Sequence, residues 1–279
     1  MSWLARRAGG ASRRARVLAA ASVSVAVACG LLLLIPGNVD ATAVTDGLGG
    51  PAPRPAAAAV SGISRSFGGT AAVGALFTVS GGVPGTHFCT ASVVYSTGGD
   101  LAVTAAHCLA GRARQMVFVP GYASGREPYG VWPVTAVYTD QAWQSAQDPD
   151  DDFAFLRLAD SSGGVPVENV TGAEQLGTGS RPPATVRVIG YPDAADRPIS
   201  CTNRAQAFSS TQLEFDCAGY TDGTSGGPFL TDVSGGSGLG TVIGVIGGYE
   251  QGGDTAQVSY AAAFGVRAAA LYQEAQAAG

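Results

Sequence analysis

What most constrains the fold of this chain is its punctuation. From about Val73 onward, short runs rich in β-branched and aromatic residues recur, separated by Gly, Pro, Asp and Ser. They are Ala91 to Tyr95, Leu101 to Thr104, Met116 to Val119, Val131 to Tyr138, Phe153 to Leu158, Thr185 to Ile189, Gln212 to Phe215 and Gly240 to Ile246. Short strands with turn signals at this spacing predict an all-β sandwich or barrel. Only the end has a helical period. In Ala261 to Ala277, the residues Phe264, Ala268, Leu271 and Ala275 share one apolar face. Gly265 weakens the start of that helix. There is no internal repeat of the length that marks a solenoid or propeller.

The N-terminus speaks for export. Arg6, Arg7, Arg13, Arg14 and Arg16 precede a 19-residue apolar stretch, Val17 to Ile35, which Pro36-Gly37 ends. Small residues follow around Ala41 and Ala43. Basic, apolar and small-residue regions in that order read as a signal peptide over residues 1–41. The apolar stretch is long for a signal, so a membrane anchor through residues 17–35 is the alternative. Ser12-Arg13-Arg14 hints at twin-arginine export. Residues 42–68 are rich in Ala, Pro and Gly without period and read as a linker or short pro-segment.

Composition narrows the function. With 46% hydrophobic and 13% charged residues, the chain is not a disordered acidic tail. Its 41 glycines have no three-residue period, which excludes a collagen-like chain. All 16 basic residues are arginine, and a cut after Ala41 leaves eleven of them against twenty acids, a net charge of −9. Such a body lacks the basic patch that nucleic acid or an anionic membrane surface requires. Cys89, Cys108, Cys201 and Cys217 remain after that cut. An even count in an oxidising compartment predicts two disulfides, with three pairings open.

Three local motifs carry chemistry. Thr104-Ala105-Ala106-His107-Cys108 ends an apolar strand, Asp152-Phe153-Ala154-Phe155-Leu156 opens one, and Gly223-Thr224-Ser225-Gly226-Gly227-Pro228 is a glycine-rich turn. A serine between glycines can expose its hydroxyl where successive N–H groups converge, an arrangement suited to an oxyanion. An acid leading a buried strand needs a partner, and an imidazole N–H is one. Asp148, Asp150 and Asp151 lack the Gly and terminal Glu of an EF-hand loop and read as a solvated loop, so no metal is expected. The chain order is His, Asp, Ser, with gaps of 45 and 73 residues. That is the order of the chymotrypsin-type barrels rather than of subtilisin or the α/β-hydrolases.

On these motifs, together with His87-Phe88-Cys89, the chain resembles the secreted bacterial trypsin-like serine endopeptidases of the chymotrypsin fold, over roughly Val73 to Tyr272. The resemblance implies an all-β protein of two Greek-key barrels (about 69–170 and 180–260) with a C-terminal helix over about 261–277. The protease domain would span 69–279, with the site between the barrels. It implies His107, Asp152 and Ser225 as the triad and the N–H groups of Gly223 and Ser225 as the oxyanion site. It also implies a Cys89–Cys108 disulfide, with Cys201–Cys217 left as the second pair. His87 would be structural. Gly219 and Tyr220 would form one wall of the substrate pocket, and Ile246, Gly247, Gly248 and Tyr249 the other. That pocket is expected to be neutral, with an apolar or small-residue preference.

Two departures matter. Thr224 stands where the trypsin branch has an Asp, and Val73-Gly74-Ala75-Leu76 replaces the usual Ile-Val-Gly-Gly start. Activity is therefore expected not to depend on an N-terminal salt bridge, as in the staphylococcal glutamyl endopeptidase and HtrA-type branches. Arg65 is a candidate processing site. The expected protein is a secreted monomer that cleaves protein or peptide substrates without a cofactor. The competing readings are a catalytically silent binding module on the same fold and an esterase with the same triad.

Overall fold

The computed structural model describes residues 62–111, 116–161, 163–179 and 182–279. The signal peptide or anchor and most of the linker lie outside the described residues. A two-residue strand, β1 (Arg65–Ser66), comes first. The first barrel follows: β2 (Val73–Ser80), β3 (Val83–Val94), β4 (Leu101–Thr104), β5 (Met116–Pro120), β6 (Trp132–Thr139) and β7 (Ala154–Leu158). These close antiparallel in the order β2-β3-β4-β7-β6-β5. Leu76, Val93, Ala102, Phe118 and Leu156 share one face of that sheet by register and are fully buried. The helix α1 (Gln141–Ala146) is capped by Asp140, whose Oδ1 accepts from Ala142 N at 2.7 Å.

The connection carries α2 (Glu168–Thr171) and β8 (Gln175–Leu176). The second barrel consists of β9 (Ala184–Gly190), β10 (Ile199–Ala207), β11 (Gln212–Asp216), β12 (Pro228–Thr231), β13 (Thr241–Ile246) and β14 (Val258–Ala263). Its antiparallel pairings run β9-β10-β11-β14-β13-β12 and back to β9. Val186, Val188, Phe215 and Phe229 fill it. Closing both sheets removes the exposed edges that an open sheet would present.

The final helix α3 (Val266–Ala277) returns from the second barrel to the first. Its buried stripe is Ala268, Leu271 and Ala275, with Phe264 just ahead of it. Tyr272 packs on Phe155 of β7 with ring centroids 5.5 Å apart, and Phe264 on Phe153 at the same distance. The helix starts later than its alanine content suggested. Ala261 to Ala263 belong to β14, where they pair with Leu213 and Gln212 of β11 and Gly244 of β13, because strand hydrogen bonds outweigh the weak local preference.

Residues 62–67, read from sequence as the end of the linker, lie on the second barrel. β1 pairs antiparallel with β10, Ser64 N donates to Ala218 O at 2.9 Å, and Ala218 N donates to Gly62 O at 3.0 Å. Arg65, the candidate processing site, is thus inside a paired strand. Disulfides join Cys89 to Cys108 and Cys201 to Cys217.

Candidate active site

The site is built where the two barrels meet. β4 delivers His107 in a 3-10 turn, His107–Leu109, which the Cys89–Cys108 bridge fastens to β3. Asp152 follows another 3-10 turn, Pro149–Asp151, at the mouth of β7. Its side chain is fully buried. Its Oδ1 accepts from His107 N at 2.9 Å, and its Oδ2 lies 2.7 Å from His107 Nδ1. A carboxylate only accepts, so Nδ1 carries the proton and Nε2 is left as the basic nitrogen. From the second barrel, Gly248 N donates to Oδ2 at 2.9 Å. Three N–H groups thus offset the desolvation of this carboxylate.

Ser225 lies at the end of the turn between β11 and β12. It shares a cleft of about 860 Å³ with His107, Gly223 and Thr224. Gly226, the next residue, has φ of +80°, and a Cβ there would sit 2.2 Å from both Thr104 Oγ1 and Thr90 O. No other residue type can hold the serine turn so close to the first barrel. Among the described residues, the N–H groups of Gly223 and Ser225 have no acceptor within the protein, and the Ser225 hydroxyl has no hydrogen-bond partner.

Thr90 on β3 was missed by the sequence reading. Its N–H donates to Ser225 O at 2.7 Å and its hydroxyl to Gly223 O at 3.0 Å, while Oγ1 accepts from Tyr191 N at 2.9 Å. One buried threonine thereby fixes the carbonyls on either side of Thr224. Its only sequence signal was its place one residue after Cys89. Thr224 itself is buried, and its hydroxyl donates to Thr221 O at 2.7 Å. A local bond thus occupies the side chain where the trypsin branch has an ionised Asp. His87 is buried, with Nε2 2.9 Å from Pro192 O and its ring 5.5 Å from that of Phe77, so it sits in packing rather than in the cleft.

The residues expected to form the pocket walls fall as follows. Of the residues proposed for them, only Ile246 lines the cleft. Tyr220 is buried in the second barrel with its hydroxyl on Val188 O at 2.8 Å, and Gly219 packs against Ser64. Gly247 and Gly248 lie against Asp152 and Gln212, and Tyr249 stacks with Phe208 and Tyr260. Thr221, Asp222 and the 250–256 loop also line the cleft. The cleft as a whole is acidic: Asp193, Asp222, Glu250 and Asp254 line it.

The solvated-loop reading of the acidic run also fails at Asp151. That side chain is fully buried and faces Arg267 of α3 at 2.6 Å. Burial pushes its carboxyl up to about 6 against the opposing pull of Arg267. Asp148 caps the 3-10 turn by accepting from Asp150 N at 3.0 Å. Among the described residues, the only grouping with metal-ligand spacing is Cys89, His107 and Cys108, and both its cysteines are in a disulfide.

Two antiparallel barrels, with a histidine and a turn-borne serine in the cleft between them and a buried aspartate bonded to that histidine, define a serine endopeptidase of the chymotrypsin fold. Residues 89–245 match the trypsin-like peptidase domain family, and the chain belongs to that family. Among solved structures it is similar to the protease Anisep from Arthrobacter nicotinovorans, at 25% identity and a TM-score of 0.65, covering 77% of this chain and 100% of that one. It is also similar to AL20, a thermostable serine protease from an extremophilic microorganism, at 26% identity and a TM-score of 0.63, covering 75% and 99% of the two chains. A Glu endopeptidase shares the fold at 14% identity and a TM-score of 0.60, over 77% of this chain and 97% of that one. No curated protein sequence matches the chain.

Proposed function

We propose that this serine endopeptidase is exported and works through Ser225, His107 and Asp152. The observation that carries the reading is the buried Asp152 carboxylate bound to both His107 N and Nδ1, which leaves Nε2 as the basic nitrogen of a ring that lines the same cleft as Ser225. Ser225 attacks the peptide carbonyl as Nε2 takes its proton, and the imidazolium then protonates the leaving amine. Asp152 holds the tautomer and stabilises the charged ring. The N–H groups of Gly223 and Ser225 receive the developing oxyanion, each contributing about 3 kcal/mol to the transition state. Water then releases the acyl-enzyme. One chain supplies every group, so a monomer suffices and no cofactor is invoked.

The carboxylates lining the cleft favour substrates that carry basic residues near the scissile bond. Export follows from the N-terminal pattern and fits the two disulfides. The first test is a fluorophosphonate probe on the exported protein, with the adduct mapped by mass spectrometry and His107→Ala as control. An adduct on Ser225 that is lost in the control is expected. Absence of any adduct on the wild-type chain at neutral pH, before and after N-terminal trimming, would instead support a silent binding module.

A further inference from the structure

Asp152 is held from both barrels, and a single side chain links the two segments that hold it. Gln212 opens β11 in the second barrel and is 5% exposed. Its Nε2 donates to Pro149 O at 2.9 Å and to Asp150 Oδ1 at 2.8 Å, both in the 3-10 turn that delivers Asp152. Its Oε1 accepts from Tyr249 N at 3.2 Å. Tyr249 follows Gly248, whose own N–H binds Asp152 Oδ2. The amide orientation is set by these partners, since a flip would place oxygen on oxygen and N–H on N–H.

The contact is tight as well as polar. Gly248 has φ of +80°, and a Cβ there would lie 2.2 Å from Gln212 Oε1. Gln212 is therefore seated directly on the backbone that supplies the second-barrel hydrogen bond to Asp152. Pro149 O also accepts from Asp152 N, at 3.5 Å, so the same carbonyl is shared by the clamp and the residue it positions.

We propose that Gln212 is a positioning residue: it fixes the 149–151 turn against the 248–249 backbone, and so sets the Asp152–His107 hydrogen bond. This rests on the triad reading above for its effect on rate, but not for its effect on that hydrogen bond. Without the clamp, Asp152 keeps its bonds only as well as two independently moving loops allow. A displacement of about 1 Å at a reacting group lowers rate by about 100-fold.

The test uses Gln212→Met, which keeps length and removes all three bonds, and Gln212→Glu, which keeps the acceptor for Tyr249 N but sets a carboxylate against Asp150 and Pro149 O. Phe215→Leu, a core change on the same strand, reports loss of stability alone. Two readouts are needed: peptide kinetics, and the far-downfield proton resonance of His107 Nδ1–H, which needs no turnover. Both Gln212 variants are expected to shift or broaden that resonance and to lower kcat by about 10- to 100-fold with KM within about twofold. Phe215→Leu should lower Tm while leaving both nearly unchanged. An unchanged resonance in either folded Gln212 variant overturns the proposal, as does a fall in rate that merely tracks Tm. If the wild type turns over no peptide but its resonance responds to Gln212, the positioning role stands and the protease mechanism falls.

Discussion

Replacing Glu174 with glutamine should stabilise the protein at alkaline pH and change little at acid pH. Glu174 is fully buried beyond α2. Its Oε2 accepts from Gly240 N, and its Oε1 has no hydrogen-bond partner among the described residues. Burial raises its carboxyl from the usual 4.5 to about 7, against the opposing effects of the Gly240 N–H and Arg187. In the unfolded chain the group ionises near its usual value. Between those limits the folded state binds more protons than the unfolded one, so stability falls as pH rises. The interval corresponds to about 3 kcal/mol above pH 7, taking roughly 1.4 kcal/mol per pH unit. Glutamine keeps the acceptor for Gly240 N and carries no charge to desolvate. At pH 4 the two proteins should unfold together. At pH 8 the variant should be more stable by up to about 3 kcal/mol, or about 6–12 °C in Tm for a chain of this size. Urea and thermal unfolding from pH 4 to 8.5 measure the difference. A difference that is constant over that range would refute the assignment of the penalty to ionisation. Glu174 does not line the cleft, so kcat should not change.

Asp152→Asn should keep the fold and lower kcat by about 10⁴-fold, because an amide cannot hold the His107 tautomer in which Nε2 is basic; Tm and peptide kinetics check both halves. Replacing Cys89 and Cys108 together with serine opens a closure of 19 residues and should lower stability by about 3 kcal/mol, read as a shift of the urea midpoint. Converting Asp222 and Asp254 together to asparagine should lower kcat/KM for peptides with Arg or Lys near the scissile bond more than for neutral ones. The wild-type preference should also weaken with added salt, and equal loss on both peptide types would count against electrostatic selection.

The strands legible in the sequence were those whose burial showed as continuous apolar runs. β4 matches its predicted span, and β5, β7, β9, β11 and β13 lie within about one residue of theirs. β10 escaped notice because most of its residues are at least partly exposed, so Thr202, Asn203 and Arg204 broke the apolar signal. β12 opens on Pro228, a residue that reads as a break in a strand. β1 was hidden because two residues inside an Ala/Pro/Gly-rich tract have no period. A partner strand, β10, makes them a strand.

By itself the sequence determined the all-β class, the apolar face of α3 and the three motifs that meet in the cleft. These depend on local properties: period, turn residues and the chemistry of single side chains. Tertiary structure alone decided the acidic lining of the cleft. It also decided the burial of Asp151 and the roles of Thr90 and Gln212. Thr90 bonds residues more than a hundred positions away, and Gln212 reaches back more than sixty. No pattern in the neighbourhood of either residue encodes a partner at that distance. Closure of two barrels against each other brings those partners within hydrogen-bond reach, and burial makes those bonds matter.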